Sequence, residues 1–135
     1  MKLFNFLTTS GIRFRAVVFT VLLTINFAPL HAQLSGTKTI GPGGDYTSFA
    51  AAVSALTSQG VSGAVTLNVL NGTYNEQIEI GSIEGASSEN TITFQSQSGN
   101  AANGTLTCIP TSTNNYVVLL LQTDYVTFQN MTLDA

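Results

Sequence analysis

Beyond Gly63 the chain loses helical spacing and does not regain it. Six short segments follow: AVTLNVL, NEQIEI, TITF, TLTCI, YVVLLL and YVTFQNMTL. In the first, Val65, Leu67 and Val69 alternate with polar neighbours, and in the second Ile78 and Ile80 alternate with Gln77 and Glu79. A two-residue period places every second side chain on one face of an extended strand, so these segments are predicted as short strands with one buried face. The later segments supply Ile92 and Phe94, Leu106 and Cys108, Val117 to Leu121, and then Val126, Phe128, Met131 and Leu133 as inward candidates. Asn71-Gly72 reads as a turn, and the loops SQSGNAANG and PTSTNN are dense in turn formers.

One stretch has the other period. Phe49, Val53 and Leu56 recur at i, i+4 and i+7 with alanines between them, which predicts a helix over Tyr46–Leu56. Asp45, Thr47 or Ser48 offers the capping oxygen, and Gly60 and Gly63 end the helix. Extended TKTI, the GPGGDY turn and this helix together have the order of a phosphate cradle. The match fails on its parts. Tyr46 stands where the third glycine of G-x-G-x-x-G belongs, no Gly-Lys-Ser/Thr follows, and Asp45 would set a negative charge beside the phosphate. The turn is therefore read as leading into a structural helix.

Ahead of these elements lies a segment of another kind. Lys2, Arg13 and Arg15 precede the apolar run Ala16 to Phe27, and APLHA then presents Ala32 at a cleavage position. This predicts a secretory signal peptide over residues 1–32, cut near Ala32–Gln33, with one domain over residues 33–135. The run is too short for a membrane anchor, which needs roughly 20 apolar residues. No membrane span is expected after cleavage. Cys108 is the sole cysteine, so no lipid-anchoring thiol follows the cut and no internal disulfide forms.

Removal of the leader leaves Lys38 as the only cation against seven acids: Asp45, Glu76, Glu79, Glu84, Glu89, Asp124 and Asp134. Nucleic acid is excluded as a partner, because binding it requires several basic groups to displace counterions. The remaining polar side chains are mainly hydroxyls and amides, which suits a neutral surface outside the cell.

Two folds accommodate one helix followed by many short strands: an antiparallel sandwich, and a parallel β-helix whose coils stack strand on strand. Uneven strand spacing and asparagine near a strand end, as in FQNMTL, favour the stack. Its first coil would expose an apolar cross-section and unpaired backbone groups, and an amphipathic helix laid across that end would cover both.

The stretches GPGGDYTSFAAAVSAL, VTLNVLNGTYNEQIEI, NTITFQSQ and YVTFQNMTLDA resemble the amino-terminal region of secreted right-handed parallel β-helix proteins of the pectin lyase-like superfamily, most closely the pectinesterase-like branch. In that branch a Gly–Asp–Tyr turn leads into a capping helix and a G-x-Y-x-E-x-[IV]-x-I segment forms the first coil. The matching residues are Gly44, Asp45 and Tyr46, then Gly72, Tyr74, Glu76, Ile78 and Ile80. The resemblance implies an all-β fold: the start of a right-handed parallel β-helix with a short N-terminal capping α-helix, cut short at Ala135. It also implies a secreted or cell-surface protein that acts on or binds extracellular polysaccharide.

The pectinesterase-like catalytic set, a glutamine, two aspartates and an arginine, belongs to later coils than these. Here no arginine follows Arg15. The resemblance thus makes the chain the front of a longer protein, with an open strand edge prone to aggregation. A carbohydrate-active enzyme whose site lies on later coils and a non-catalytic adhesin or structural surface solenoid stay open as alternatives.

The remaining candidates favour structure over chemistry. Glu76 and Glu79 fall on opposite faces under a two-residue period and do not form an acid–base pair. Glu76, beside the N-G-T-Y turn, is expected to accept hydrogen bonds that hold the first coil. Asp124 is read as a turn residue bonding local backbone, and Asp134 as the end of a coil without partners. Cys108 has no histidine after position 31 to activate it and is read as a small buried hydrophobe. Without histidine a zinc site is excluded, leaving loop carbonyls as the route to calcium. Phe94 and Phe128 are expected to stack in successive coils, and Tyr116 and Tyr125 to sit at turn edges with their hydroxyls in water. Asn71, Asn103 and Asn130 open Asn-x-Thr triplets, and Asn130 is placed in an amide ladder. No catalytic, cofactor-binding or metal-ligating residue is assigned, and no cofactor is expected.

Overall fold

Alternating side chains from Leu34 onward generate short strands, arranged in chain order as β1 (Leu34–Ile40), α1 (Phe49–Gln59), β2 (Val61–Val69), β3 (Gly72–Asn75), β4 (Ile78–Ile80), β5 (Ile92–Ser96), a 3-10 turn (Ala101–Asn103), β6 (Gly104–Thr107), β7 (Val118–Leu120), β8 (Val126–Gln129) and β9 (Thr132–Asp134). This is a computed structural model, and it describes residues 32–135. The predicted signal peptide, with Lys2, Arg13, Arg15 and His31, lies outside the described residues but for Ala32.

Every strand ladder among the described residues is parallel. The strands form three sheets, ordered β1-β2-β5-β8, β3-β6-β9 and β4-β7. From β2 the chain visits the first, second and third sheets in turn and repeats that circuit from β5; β8 and β9 then add strands to the first and second sheets. A β-rich chain of parallel sheets with one helix is compatible with a parallel β-helix, and the hairpins of an antiparallel sandwich do not occur among the described residues.

The helix begins three residues later than predicted. Tyr46 is held in extended pairing instead: its N–H donates to the Thr39 carbonyl at 3.0 Å, and its carbonyl accepts from the Gly41 N–H at 2.8 Å. Ser48 is extended at φ −152° and ψ 163°, and its hydroxyl accepts from the Ala51 N–H at 3.1 Å, so Ser48 is the cap. Gly60 ends the helix at φ 69°, whereas Gly63 lies within β2. The buried stripe is Phe49, Ala52, Val53, Ala55 and Leu56. It packs against β1 and β4, the first strands of their sheets.

Other segments divide where the chain turns between sheets. Gly72 opens β3 in register with Gly104 rather than closing a turn, and the NEQIEI segment divides between the end of β3 at Asn75 and β4. YVTFQNMTL splits into β8 and β9 because Asn130 adopts φ 51°, a left-handed conformation that breaks an extended strand. Gln122 (φ 51°) and Tyr125 (φ 61°) take the same region in the link from β7 to β8. In the preceding circuit the comparable conformation falls on Gly85 and Gly99.

Parallel register stacks like upon like. In the first sheet Val65 pairs with Ile92 and Ile92 with Val126, while Leu67 pairs with Phe94 and Phe94 with Phe128. The rings of Phe94 and Phe128 are 4.8 Å apart and 8° from parallel, and Phe49 of α1 stacks on Phe94 at 6.1 Å. Helix and sheet thus share one aromatic column. Tyr74, Leu106 and Leu133 form the inward column of the second sheet, and Ile78 and Ile80 meet Val118 and Leu120 in the third.

Leu106 is fully buried while Leu133, in register with it, is 44% exposed. Leu106→Ala is therefore expected to cost about 2–5 kcal/mol, the usual range for a buried leucine. Leu133→Ala should cost well under half of that. Urea denaturation of the two variants measures the difference.

Candidate functional site

The inward residues of the four-stranded sheet turn their neighbours outward. Val65, Leu67 and Val69 are buried, so Thr66 and Asn68 point away from the core, followed in register by Thr93 and Gln95 of β5 and Thr127 and Gln129 of β8. Thr37 of β1 extends the threonine column by one strand. The amides form a continuous ladder: Gln95 Nε2 donates to Asn68 Oδ1 at 2.9 Å, and Gln129 Nε2 donates to Gln95 Oε1 at 2.7 Å. One column of hydroxyls and one of amides thus run across the sheet, with no charged side chain in either.

The ladder lies one residue before the position expected for it. Asn130 sits at the corner after β8. The signal for the true ladder is present in the chain as VTLN at 65–68, ITFQ at 92–95 and VTFQ at 126–129, a β-branched–Thr–apolar–amide pattern that the register superposes.

Glu76 holds the helix. Its Oε1 accepts from the Phe49 N–H at 3.1 Å and its Oε2 from the Ala50 N–H at 2.9 Å. With Ser48 on Ala51, this carboxylate completes the partners of the first three helical N–H groups, which have none inside the helix. A negative group there also faces the positive end of the helix dipole. The structural role expected of Glu76 is thus the one observed, with the bond partners now identified.

Asp45 grips the turn instead of capping the helix. One carboxylate oxygen, Oδ2, accepts from both the Thr39 N–H and the Thr39 hydroxyl at 2.8 Å, while the Asp45 N–H donates to Thr39 Oγ1 at 2.9 Å. The Thr39 hydroxyl and the Thr39 N–H hold the carboxyl below its ordinary value, with a smaller contribution from nearby Lys38. Tyr74 locks the same turn from beneath, its hydroxyl donating to the Leu70 carbonyl at 2.9 Å and the Ile40 carbonyl at 3.3 Å. Gly41 is required beside it, because a Cβ there would lie 2.4 Å from the Tyr74 hydroxyl.

The other candidates do not converge. Glu79 is exposed on β4 and accepts from the Tyr116 hydroxyl, a bond that raises the Tyr116 phenol above its ordinary value. That hydroxyl is therefore engaged by protein. Cys108 is half-buried just after β6, not within it, and its thiol donates to the Tyr116 carbonyl at 3.2 Å. Asp124 and Tyr125 are exposed in the link before β8, and Asp134 is exposed on β9. No group of three His, Cys, Asp or Glu side chains suited to a metal ion occurs among the described residues. No described helix is long and apolar enough to cross a membrane.

Comparison with known proteins returns no match: no family model, no curated protein and no solved structure matches the chain.

Two substitutions check these assignments. Glu76→Gln keeps the shape but offers one acceptor to two N–H groups, so a loss of roughly 1–2 kcal/mol is expected in urea denaturation. Asp45 has a folded-state pKa below its unfolded value, so its stabilising contribution is present above the unfolded value and is lost as pH falls through the folded one. Asp45→Asn should accordingly lower the melting temperature at neutral pH and flatten its dependence on acid below about pH 4.

Proposed function

We propose that the chain is the helix-capped start of a right-handed parallel β-helix of the pectin lyase-like kind, that it is exported, and that it binds extracellular polysaccharide along the outward face of the four-stranded sheet. The leader-like residues 1–32 support export. The resemblance of the GDY turn and the G-x-Y-x-E-x-[IV]-x-I segment supports the family reading, and the repeated circuit through three parallel sheets supports the coil geometry.

The observation that carries the function is the pair of outward columns, Thr66–Thr93–Thr127 and Asn68–Gln95–Gln129. Hydroxyls and amides each donate and accept, which suits sugar hydroxyls. Neighbouring strands lie about 4.8 Å apart, so the columns offer an evenly spaced row of such groups to an extended chain. With one lysine against seven acids after the leader, the surface disfavours polyanions. The ligand class is a neutral polysaccharide, or a uronic chain whose carboxyls are esterified. Binding is favoured over catalysis because the engaged acids are tied to structure: Asp45 to Thr39, Glu76 to α1 and Glu79 to Tyr116. An enzymatic role would draw on coils other than these.

Co-sedimentation with an insoluble neutral glucan and with highly esterified pectin gel tests the reading. Retention is expected on at least one, and Thr93→Glu combined with Thr127→Glu should weaken it roughly tenfold, equivalent to about 1.4 kcal/mol. Thr73→Glu, on another sheet, should leave it unchanged. Retention on neither material, or equal loss from Thr73→Glu, overturns the assignment.

A further inference from the structure

Asn-Gly occurs twice in the chain, as Asn71-Gly72-Thr73 and Asn103-Gly104-Thr105, and the fold superposes the two: Gly72 pairs with Gly104 and Thr73 with Thr105. Asparagine before glycine carries a latent reaction, because glycine has no Cβ to shield its backbone nitrogen from the preceding side-chain amide. The two triplets are chemically identical but differ in how tightly that amide is held.

Asn103 is pinned. It closes the 3-10 turn with its N–H on the Asn100 carbonyl at 3.1 Å, and its Nδ2 donates to Ser98 Oγ at 3.1 Å. It is half-buried, and Gly104 after it is buried. Asn71 is exposed in the link between β2 and β3, and Gly72 after it is exposed as well.

We propose that Asn71 is a self-modification site, at which the corner between β2 and β3 converts with age to aspartate and isoaspartate. The Gly72 nitrogen loses its proton and bonds to Asn71 Cγ, the Cγ–Nδ2 bond breaks, and the amide leaves with that proton as ammonia. Water then opens the succinimide ring. Attack at Cγ gives aspartate, and attack at the Asn71 backbone carbonyl gives isoaspartate, whose main chain runs through Cβ and Cγ. Water is the only other reactant.

The flanking contacts give the isoaspartate its effect. Leu70 is fixed on one side, its N–H donating to the Ile40 carbonyl at 2.9 Å and its carbonyl accepting from the Tyr74 hydroxyl at 2.9 Å, while Gly72 begins the β3 ladder on the other. The added main-chain carbon falls between these anchors, so isoaspartate loosens Tyr74 from Leu70 and Ile40 and with it the turn that leads to α1. Aspartate adds a charge without lengthening the chain.

The test ages the full chain in mildly alkaline buffer, with and without denaturing urea, and then cleaves it at glutamate, which separates Asn71 from Asn103. Mass spectrometry follows conversion of each amide to acid, and labelling by an isoaspartyl methyltransferase identifies isoaspartate. In the native protein Asn71 should react at least roughly tenfold faster than Asn103, the effect of the hydrogen bonds that must open at Asn103. In urea the two rates should converge. Gly72→Ala, whose Cβ would meet nothing closer than 3.5 Å, should slow the reaction at Asn71 while circular dichroism stays unchanged. Asn71→Asp should melt like the fresh protein, and the aged, isoaspartate-bearing protein should melt lower. Equal native rates at the two sites, or faster loss at Asn103, overturns the proposal. So does an aged protein that melts together with Asn71→Asp.

Discussion

Parallel pairing imposes the constraint from which the other features follow. Parallel neighbours cannot be joined by a two-residue hairpin, so the chain must travel before it returns to pair with itself. Here Gln95 meets Asn68 across 27 residues and Gln129 meets Gln95 across 34, and each journey passes through the other sheets. Because the circuit returns in register, chemically similar residues fall in columns. A Phe column lies inside, and Thr and amide columns lie outside. The same register that builds the core therefore also arranges the candidate face.

A stack so built has two unlike ends. At the first, α1 lies against β1 and β4, with Phe49 entering the ring column and Glu76 drawing the helix N-terminus onto the corner between β3 and β4. Asp45, Thr39, Tyr74 and Gly41 fix the turn that delivers the chain to that helix. The bonds of Glu76 to α1 and of Tyr74 to Ile40 join residues 26 to 34 apart in sequence, so the helix and the first circuit hold each other. At the second end the columns stop at Leu120, Phe128 and Leu133 with their outer sides uncovered.

Much of this was legible in the residues alone. The two-residue period marked most strands, the i, i+4, i+7 stripe marked α1, and Phe94 over Phe128 followed from coils stacked in register. Strand ends were not legible where a single residue turns the chain, as Asn130 does, because period-two alternation runs straight through the QNMTL corner. The helix start was misplaced because Tyr46 has a competing partner in β1 that no local propensity reveals. Glu76 was recognisable as a residue in need of donors. That those donors are the N–H groups of Phe49 and Ala50 depends on a contact spanning 27 residues. The amide ladder is obscured in the sequence because Asn130 stands in a conspicuous Asn-x-Thr triplet, whereas the true ladder emerges only when VTLN, ITFQ and VTFQ are aligned as one pattern.

The left-handed corners divide the circuits by cost. Glycine accepts that conformation freely, and Gly85 and Gly99 carry it in the circuit that includes β5. In the last stretch it falls on Gln122, Tyr125 and Asn130, of which only asparagine tolerates it well. Side-chain crowding at Gln122 and Tyr125 thus opposes closure of the link into β8, where there is also least burial to offset it. Fraying should begin at β8 and β9 and progress toward α1, so amide protons of β2 and β5 exchange slowest and the molecule unwinds from one side only.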